Sequence, residues 1–179
     1  TPSRNPDVYV AGYDGDTGMY WKNGVGVSPT FGTSIYISSI YVSGSDVYAC
    51  GQESNGSHIV AKYWKNGAPV ILSDGSNFAY ATSIYVSGSD VYICGYETNN
   101  VSYSATMYWK NGTLAILTDG SSNAEATSIY VSGSDVYVCG IESDGSHYVA
   151  KYWKNGAPIS LTDGSNNADA KSIYVSGRD

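Results

Sequence analysis

The chain repeats itself about every 44 residues, and a fixed period of that length constrains the fold before any single residue does. Trp21, Trp64, Trp109 and Trp153 each open the tetrapeptide Trp-Lys-Asn-Gly, at spacings of 43, 45 and 44 residues. The segment Ser39-Ile40-Tyr41-Val42-Ser43-Gly44-Ser45-Asp46-Val47-Tyr48 recurs at 83–92 and 128–137, and in part at 172–179. Short runs rich in Val, Ile and Tyr alternate with Gly-Ser, Asp-Gly and Asn-Gly. Asp-Gly and Asn-Gly between such runs signal tight hairpins, because both turn residues accept positive φ. In the last copy this predicts strands at 128–132, 136–142, 147–153 and 158–161. No helical periodicity persists for ten residues, which excludes helical repeats.

A four-stranded antiparallel unit repeated at this period predicts an all-β chain, a four-bladed β-propeller. The chain forms one domain over 1–179. Its blades fall at 37–73, 82–118 and 127–162, with the first assembled from 171–177 plus 7–31. That first blade is split because Asp7 to Gly12 matches Asp46 to Gly51, a second strand, whereas the C-terminal end supplies a first strand alone. The expectation is a ring closed by 171–177 pairing with the N-terminal strands, since an open row leaves sticky strand edges. A closed monomer is preferred, and two chains exchanging ends is the alternative.

Asp135-Val136-Tyr137-Val138-Cys139-Gly140, a Tyr-containing strand ending in Trp153 and a Pro-led fourth strand resemble a kelch repeat. The match is to a kelch-like bacterial repeat, because the second glycine of the kelch pair is replaced by Tyr13, Gln52, Tyr96 and Ile141. The resemblance implies a propeller closed by a C-terminal innermost strand beside three N-terminal ones. It implies no single activity, because propellers of this type include oxidases, adaptors and lectin-like binders.

Charge narrows the function classes. Sixteen acidic residues against nine basic ones give a net charge of −7, without a Lys/Arg cluster, so the footprint of a nucleic-acid binder is missing. No stretch approaches the ~20 apolar residues of a membrane-spanning helix, and the first residues carry no signal-peptide pattern. Few charges and abundant Ser, Gly, Asn and Tyr suggest an extracellular or cell-surface protein. Cys50, Cys94 and Cys139 share one repeated position, filled by Ala11 in the first copy, and are expected to be free buried thiols.

Two sets of repeated residues are candidate ligand-binding groups. Asp14, Glu53, Glu97 and Glu142 end the second strand of each copy and read either as a ring of carboxylates for cations or sugar hydroxyls, or as solvated strand ends paired to lysines. Trp21, Trp64, Trp109 and Trp153, each after a tyrosine, read either as stacking platforms for sugars or as packing between sheets. The inner Ile-Tyr-Val triplets send Tyr41, Tyr85, Tyr130 and Tyr174 to one face. Copies two and four share His58 and His147 with Lys62 and Lys151, where copies one and three have Met19 and Met107. The two histidines lie on different copies, without a nucleophile and an orienting carboxylate nearby in sequence. Four-fold repetition produces equivalent sites, whereas catalysis needs unlike groups converging once. The expectation is therefore no enzyme, no catalytic residue, no metal and no cofactor. Asn55-Gly56-Ser57, Asn100-Val101-Ser102 and Asn111-Gly112-Thr113 match the glycosylation acceptor pattern and are read as coincidence, two being turns that the fold needs. Together these features imply a non-enzymatic binding or interaction propeller, with multivalent glycan binding as its sharpest form and another extracellular protein as the other partner class. The alternative is a structural subunit or spacer of an extracellular assembly that takes no small molecule.

Overall fold

The computed structural model describes residues 6–27, 34–98 and 103–177. Thus 28–31 of the expected first blade, and the Asn100 acceptor sequence, lie outside the described residues. Among the described residues there are fifteen strands and no helix: β1 (Tyr9–Asp14), β2 (Thr17–Lys22), β3 (Val25–Val27), β4 (Ile35–Ser43), β5 (Asp46–Ser54), β6 (Ile59–Lys65), β7 (Ala68–Ile71), β8 (Phe78–Ser87), β9 (Asp90–Thr98), β10 (Ser104–Lys110), β11 (Thr113–Ile116), β12 (Ala124–Ser132), β13 (Asp135–Ser143), β14 (Tyr148–Lys154) and β15 (Ala157–Ser160). They form four antiparallel sheets in chain order, three of four strands (β4–β7, β8–β11, β12–β15) and one of three (β1–β3). No helix is long and apolar enough to cross a membrane among these residues.

The turn chemistry is as the sequence dictates. Asn23, Asn66, Asn111 and Asn155 have φ of 51–53° and each precedes a glycine at 80–87°, the double positive φ of a two-residue hairpin. Each inner strand begins earlier than expected, β8 at Phe78 and β12 at Ala124, because it runs on through a bulge. The register slips between Ile37 and Ser39, between Ala81 and Ser83, and between Ala126 and Ser128. At the bulge the inner strand's carbonyl presses on the second strand: a Cβ on Gly51, Gly95 or Gly140 would overlap the carbonyl of Tyr36, Tyr80 or Glu125. Glycine is required there by space, not by φ.

The sheets lie side by side, and the core sits in the seams between them. Between the second and third sheets, Tyr48, Cys50 and Ala61 meet Ile84, Val86, Ile93 and Trp109. Between the third and fourth, Tyr92 and Cys94 meet Ile129, Val131, Val138 and Trp153. Hydroxyls stitch the inner strands: Thr82 Oγ1 donates to Ala126 O at 2.8 Å, and Ser83 Oγ accepts from Ile129 N at 3.4 Å. Inner tyrosines form a row, Tyr41–Tyr85–Tyr130–Tyr174, with ring centroids 5.1, 4.8 and 5.0 Å apart.

The expected pairing of 171–177 with the N-terminal strands is not formed among the described residues: β1 pairs with β2 alone, and 171–177 carries no strand ladder. The segment is instead held beside β12. Thr127 Oγ1 donates to Ala170 O, Ser128 Oγ accepts from Ile173 N at 3.3 Å, and Tyr174 meets Tyr130. These are the contacts of an interior seam. They fix 171–177 to the fourth sheet, while β1 packs on β4 of the second sheet.

Candidate functional site

The Trp-Lys-Asn-Gly and Ser-Asp-Val-Tyr motifs meet at one end of every sheet. In the third sheet, Lys110 Nζ lies 2.8 Å from Asp90 and 5.2 Å from the centre of the Tyr92 ring, while Asn111 Nδ2 donates to the other Asp90 oxygen at 2.8 Å. Asn111 Oδ1 accepts from Val91 N at 2.9 Å. The second and fourth sheets repeat this with Asp46, Tyr48, Lys65 and Asn66, and with Asp135, Tyr137, Lys154 and Asn155. Lys22 pairs with Asp7 over Tyr9 in the first. Asn66 and then Lys65 hold the Asp46 carboxyl below the usual carboxylate range. Lys110 and then Asn111 do so for Asp90, and Lys154 and then Asn155 for Asp135. Lys65 and Lys110 are raised in turn, first by their aspartates and then by the tyrosine hydroxyls. Each charge at this end is used up in tying the hairpin to its neighbour strand. The signal for this quartet lies in the repeated co-occurrence of its four residues, Asp and Tyr in one motif and Lys and Asn in the other.

Of the expected carboxylate ring, two members are ion-paired inside the sheet: Glu53 with Lys62 and Glu142 with Lys151, both at 2.6 Å. Glu97 accepts from Asn77 Nδ2 at 2.8 Å, since Met107 occupies the lysine's place. Asp14 is exposed at the end of β1. The four carboxylates thus have three kinds of surroundings: a lysine for Glu53 and Glu142, an asparagine for Glu97 and solvent for Asp14.

Of the two readings of the tryptophans, three of the four take packing between sheets and not stacking platforms. Trp64, Trp109 and Trp153 are 1% exposed, lying in the seams against the preceding sheet, and offer no ring face to a ligand. Trp21 is the exception, half-buried, with no sheet before the first among the described residues. The indole N–H of Trp64 and of Trp153 is buried without an acceptor among the described residues, so these rings are kept for their apolar area.

The exposed aromatics are elsewhere. Tyr13, Tyr36, Phe78, Tyr103 and Tyr148 all lie at the end of the sheets opposite the Asp–Lys quartets, where first and third strands begin and second strands finish. Among the described residues, Tyr174 is the one exposed aromatic outside this group. Phe78 packs edge-on to His58 at 5.1 Å, Tyr13 to Tyr36 at 6.0 Å, and Tyr80 stacks on Tyr96 at 4.8 Å. Burial, then Glu125 and Tyr80, push the Tyr96 hydroxyl up to about 12, so it stays a neutral donor. Burial and the nearby Asp169 raise the Glu125 carboxyl. Two clefts open at this end. One of about 240 Å³ is lined by Ile141, Tyr148, Asn167 and Asp169, and one of about 220 Å³ by Asn77, Glu97, Leu114 and Asp119, among others. These aromatics escape the sequence pattern because strand-end residues fall outside the inside–outside alternation.

Cys50, Cys94 and Cys139 are free and buried. Burial raises all three thiols, Cys94 to about 12, which leaves them protonated and unreactive. Among the described residues no group of three His, Cys, Asp or Glu side chains is placed to hold a metal ion. No protein-family model matches the chain, and no curated protein matches it significantly, so the kelch resemblance rests on the repeat residues alone.

Proposed function

We propose that the four sheets are blades of a β-propeller and that the chain is a non-enzymatic binding module of the extracellular space or cell surface, taking carbohydrate at its aromatic end. The supporting observation is the collection of Tyr13, Tyr36, Phe78, Tyr103 and Tyr148 at one end, beside Asn77, Asn167 and Glu97. Flat rings with neighbouring carboxamides and carboxylates suit a ligand that presents C–H faces and hydroxyls together. Several such rings on one rigid body add avidity to weak single contacts. The test is a glycan array at high protein density, followed by titration of any hit into Tyr148→Ala and Phe78→Ala. Affinity reduced at least fivefold in either variant supports the reading, and an empty array sinks it. The second reading, a structural spacer without a small ligand, draws on the saturated Asp–Lys ends. It predicts the same empty array together with recovery of a protein partner.

A further inference from the structure

The third sheet departs from the second and fourth at two positions beside the same carboxylate. In the second sheet Glu53 is paired across the ladder with Val60, and its Oε2 takes the Lys62 ammonium at 2.6 Å. In the fourth, Glu142 is paired with Val149 and takes Lys151 on the same oxygen at the same distance. In the third, Glu97 is paired with Ala105, and Met107 stands in the lysine's place. Both exchanges empty the space over Glu97. Alanine lacks the two methyls of the valine, and the buried methionine brings no charge to the carboxylate.

The result is the cleft of about 220 Å³ that Glu97, Ala105 and Met107 line together with Asn77, Leu114 and Asp119. Asn77 Nδ2 occupies Oε1 of Glu97 at 2.8 Å, and Oε2, the oxygen that holds the lysine in the other two sheets, has no hydrogen bond among the described residues. Asp119 adds a second negative charge to the wall, its carboxyl held below the usual carboxylate range by the Ser121 hydroxyl and amide. Lys110, the third sheet's one Lys or Arg, is taken by Asp90 at the opposite end. Glu97 is therefore half of an ion pair whose other half the chain does not supply. The remaining wall is apolar, as the methylenes of a lysine require.

We propose that this cleft binds the primary ammonium of a ligand, seated on Glu97 as Lys62 and Lys151 seat their own on Glu53 and Glu142. The two sister sheets supply the stand-in: each lysine Nζ marks where the charge sits, and its aliphatic stem marks the apolar part of the occupant. A charge-assisted N–H···O bond to a carboxylate is about twice as strong as a neutral one, so an acetylated amine, with one N–H and no charge, fits poorly. An amino sugar and the lysine side chain of another protein present the same group on aliphatic carbon. The site goes beyond the carbohydrate reading and does not rest on it, because neutral glycans carry no ammonium.

The test titrates two amines into the whole chain at neutral pH, followed by NMR shifts: n-butylamine, which is the lysine side chain freed of its backbone, and glucosamine. N-butylacetamide and N-acetylglucosamine are the neutral controls. At least one amine should bind about tenfold more tightly than its control, with shifts centred on Ala105 and Met107, and the tighter amine names the source. Met107→Lys, which rebuilds the pair of the sister sheets, should abolish binding. Glu97→Gln, which keeps an acceptor for Asn77 and removes the charge, should weaken it at least fivefold. If circular dichroism shows that the lysine variant does not fold, the glutamine variant decides alone. Binding by neither amine, equal binding by the controls, shifts centred elsewhere, or binding undiminished in a folded variant overturns the proposal. Neutral glycans bound at the exposed aromatics would leave this outcome untouched, so the two readings fail separately.

Discussion

The third sheet and the first are built from nearly the same residues, yet they differ in what covers them. Trp109 is 1% exposed with a sheet on either side, while Trp21 carries the same motif half-buried at the end of the row. The hairpin after each tryptophan is the same in both: Asn111 and Asn23 take φ of 51° and 53°, and each side-chain oxygen accepts a valine N–H at 2.9 Å. Local chemistry thus sets the sheet, and the neighbour sets how much that sheet is worth.

The largest expected separation is at the tryptophans. Trp109→Ala should cost about 4 kcal/mol in urea denaturation, in the range of a fully buried aromatic, and Trp21→Ala less than half of that. Equal losses would mean that the seams are not where the stability lies. Next comes glycine: Gly95→Ala should cost about 2 kcal/mol or more as the Tyr80 carbonyl is pushed away, against a few tenths for Gly12→Ala, both read from thermal midpoints. At the turns the difference should vanish. Asn111→Ala and Asn23→Ala each lose one side-chain bond and a residue tolerant of positive φ, about 1 kcal/mol apiece by denaturation. Unequal costs there would show that the turn, too, depends on its neighbour.

The smallest effect is electrostatic. Asp46, Asp90 and Asp135 are depressed below their unfolded values, so their contribution is complete above the ordinary carboxylate range near pH 4 and is lost as pH falls through the lower folded values. Thermal melts should be level from neutral pH to about 5 and then drop gently in acid, with Asp90→Asn flattening the drop. A chain stabilised by acid would reverse the assigned sign.

How much of this was legible in the sequence divides by the range of the interaction. Turns, strand order within a sheet and the number of sheets are set by local signals, Asn-Gly above all. The early starts of β8 and β12 were hidden because a bulge shifts alternation by one residue, and the spare residue at Thr82 or Thr127 looks like an ordinary strand position. The tryptophans were read as open platforms or packing, and only the neighbouring sheet decides between these. The lack of a ladder between 171–177 and β1 among the described residues was not legible, because complementary strands in a sequence say nothing about whether the rotation from sheet to sheet brings them together. The candidate site fared worst. Repetition drew the eye to Glu53 and Trp64, both satisfied within the fold, whereas Phe78, Tyr103 and Tyr148 do not repeat and are the residues left facing solvent.

The hydroxyl stitches have a consequence for how the molecule comes apart. Thr82 reaches Ala126, Ser39 reaches Ile84 and Ser128 reaches Ile173, spans of 44 to 45 residues and no further. Each sheet therefore senses only its immediate neighbours, the condition for a one-dimensional cooperative array. Amide exchange should therefore be slowest in β8–β10, which have a sheet packed on either side. Such an array also tolerates gain or loss of a whole 44-residue unit far better than of half a unit, since a complete insertion re-creates one seam and leaves the others as they were.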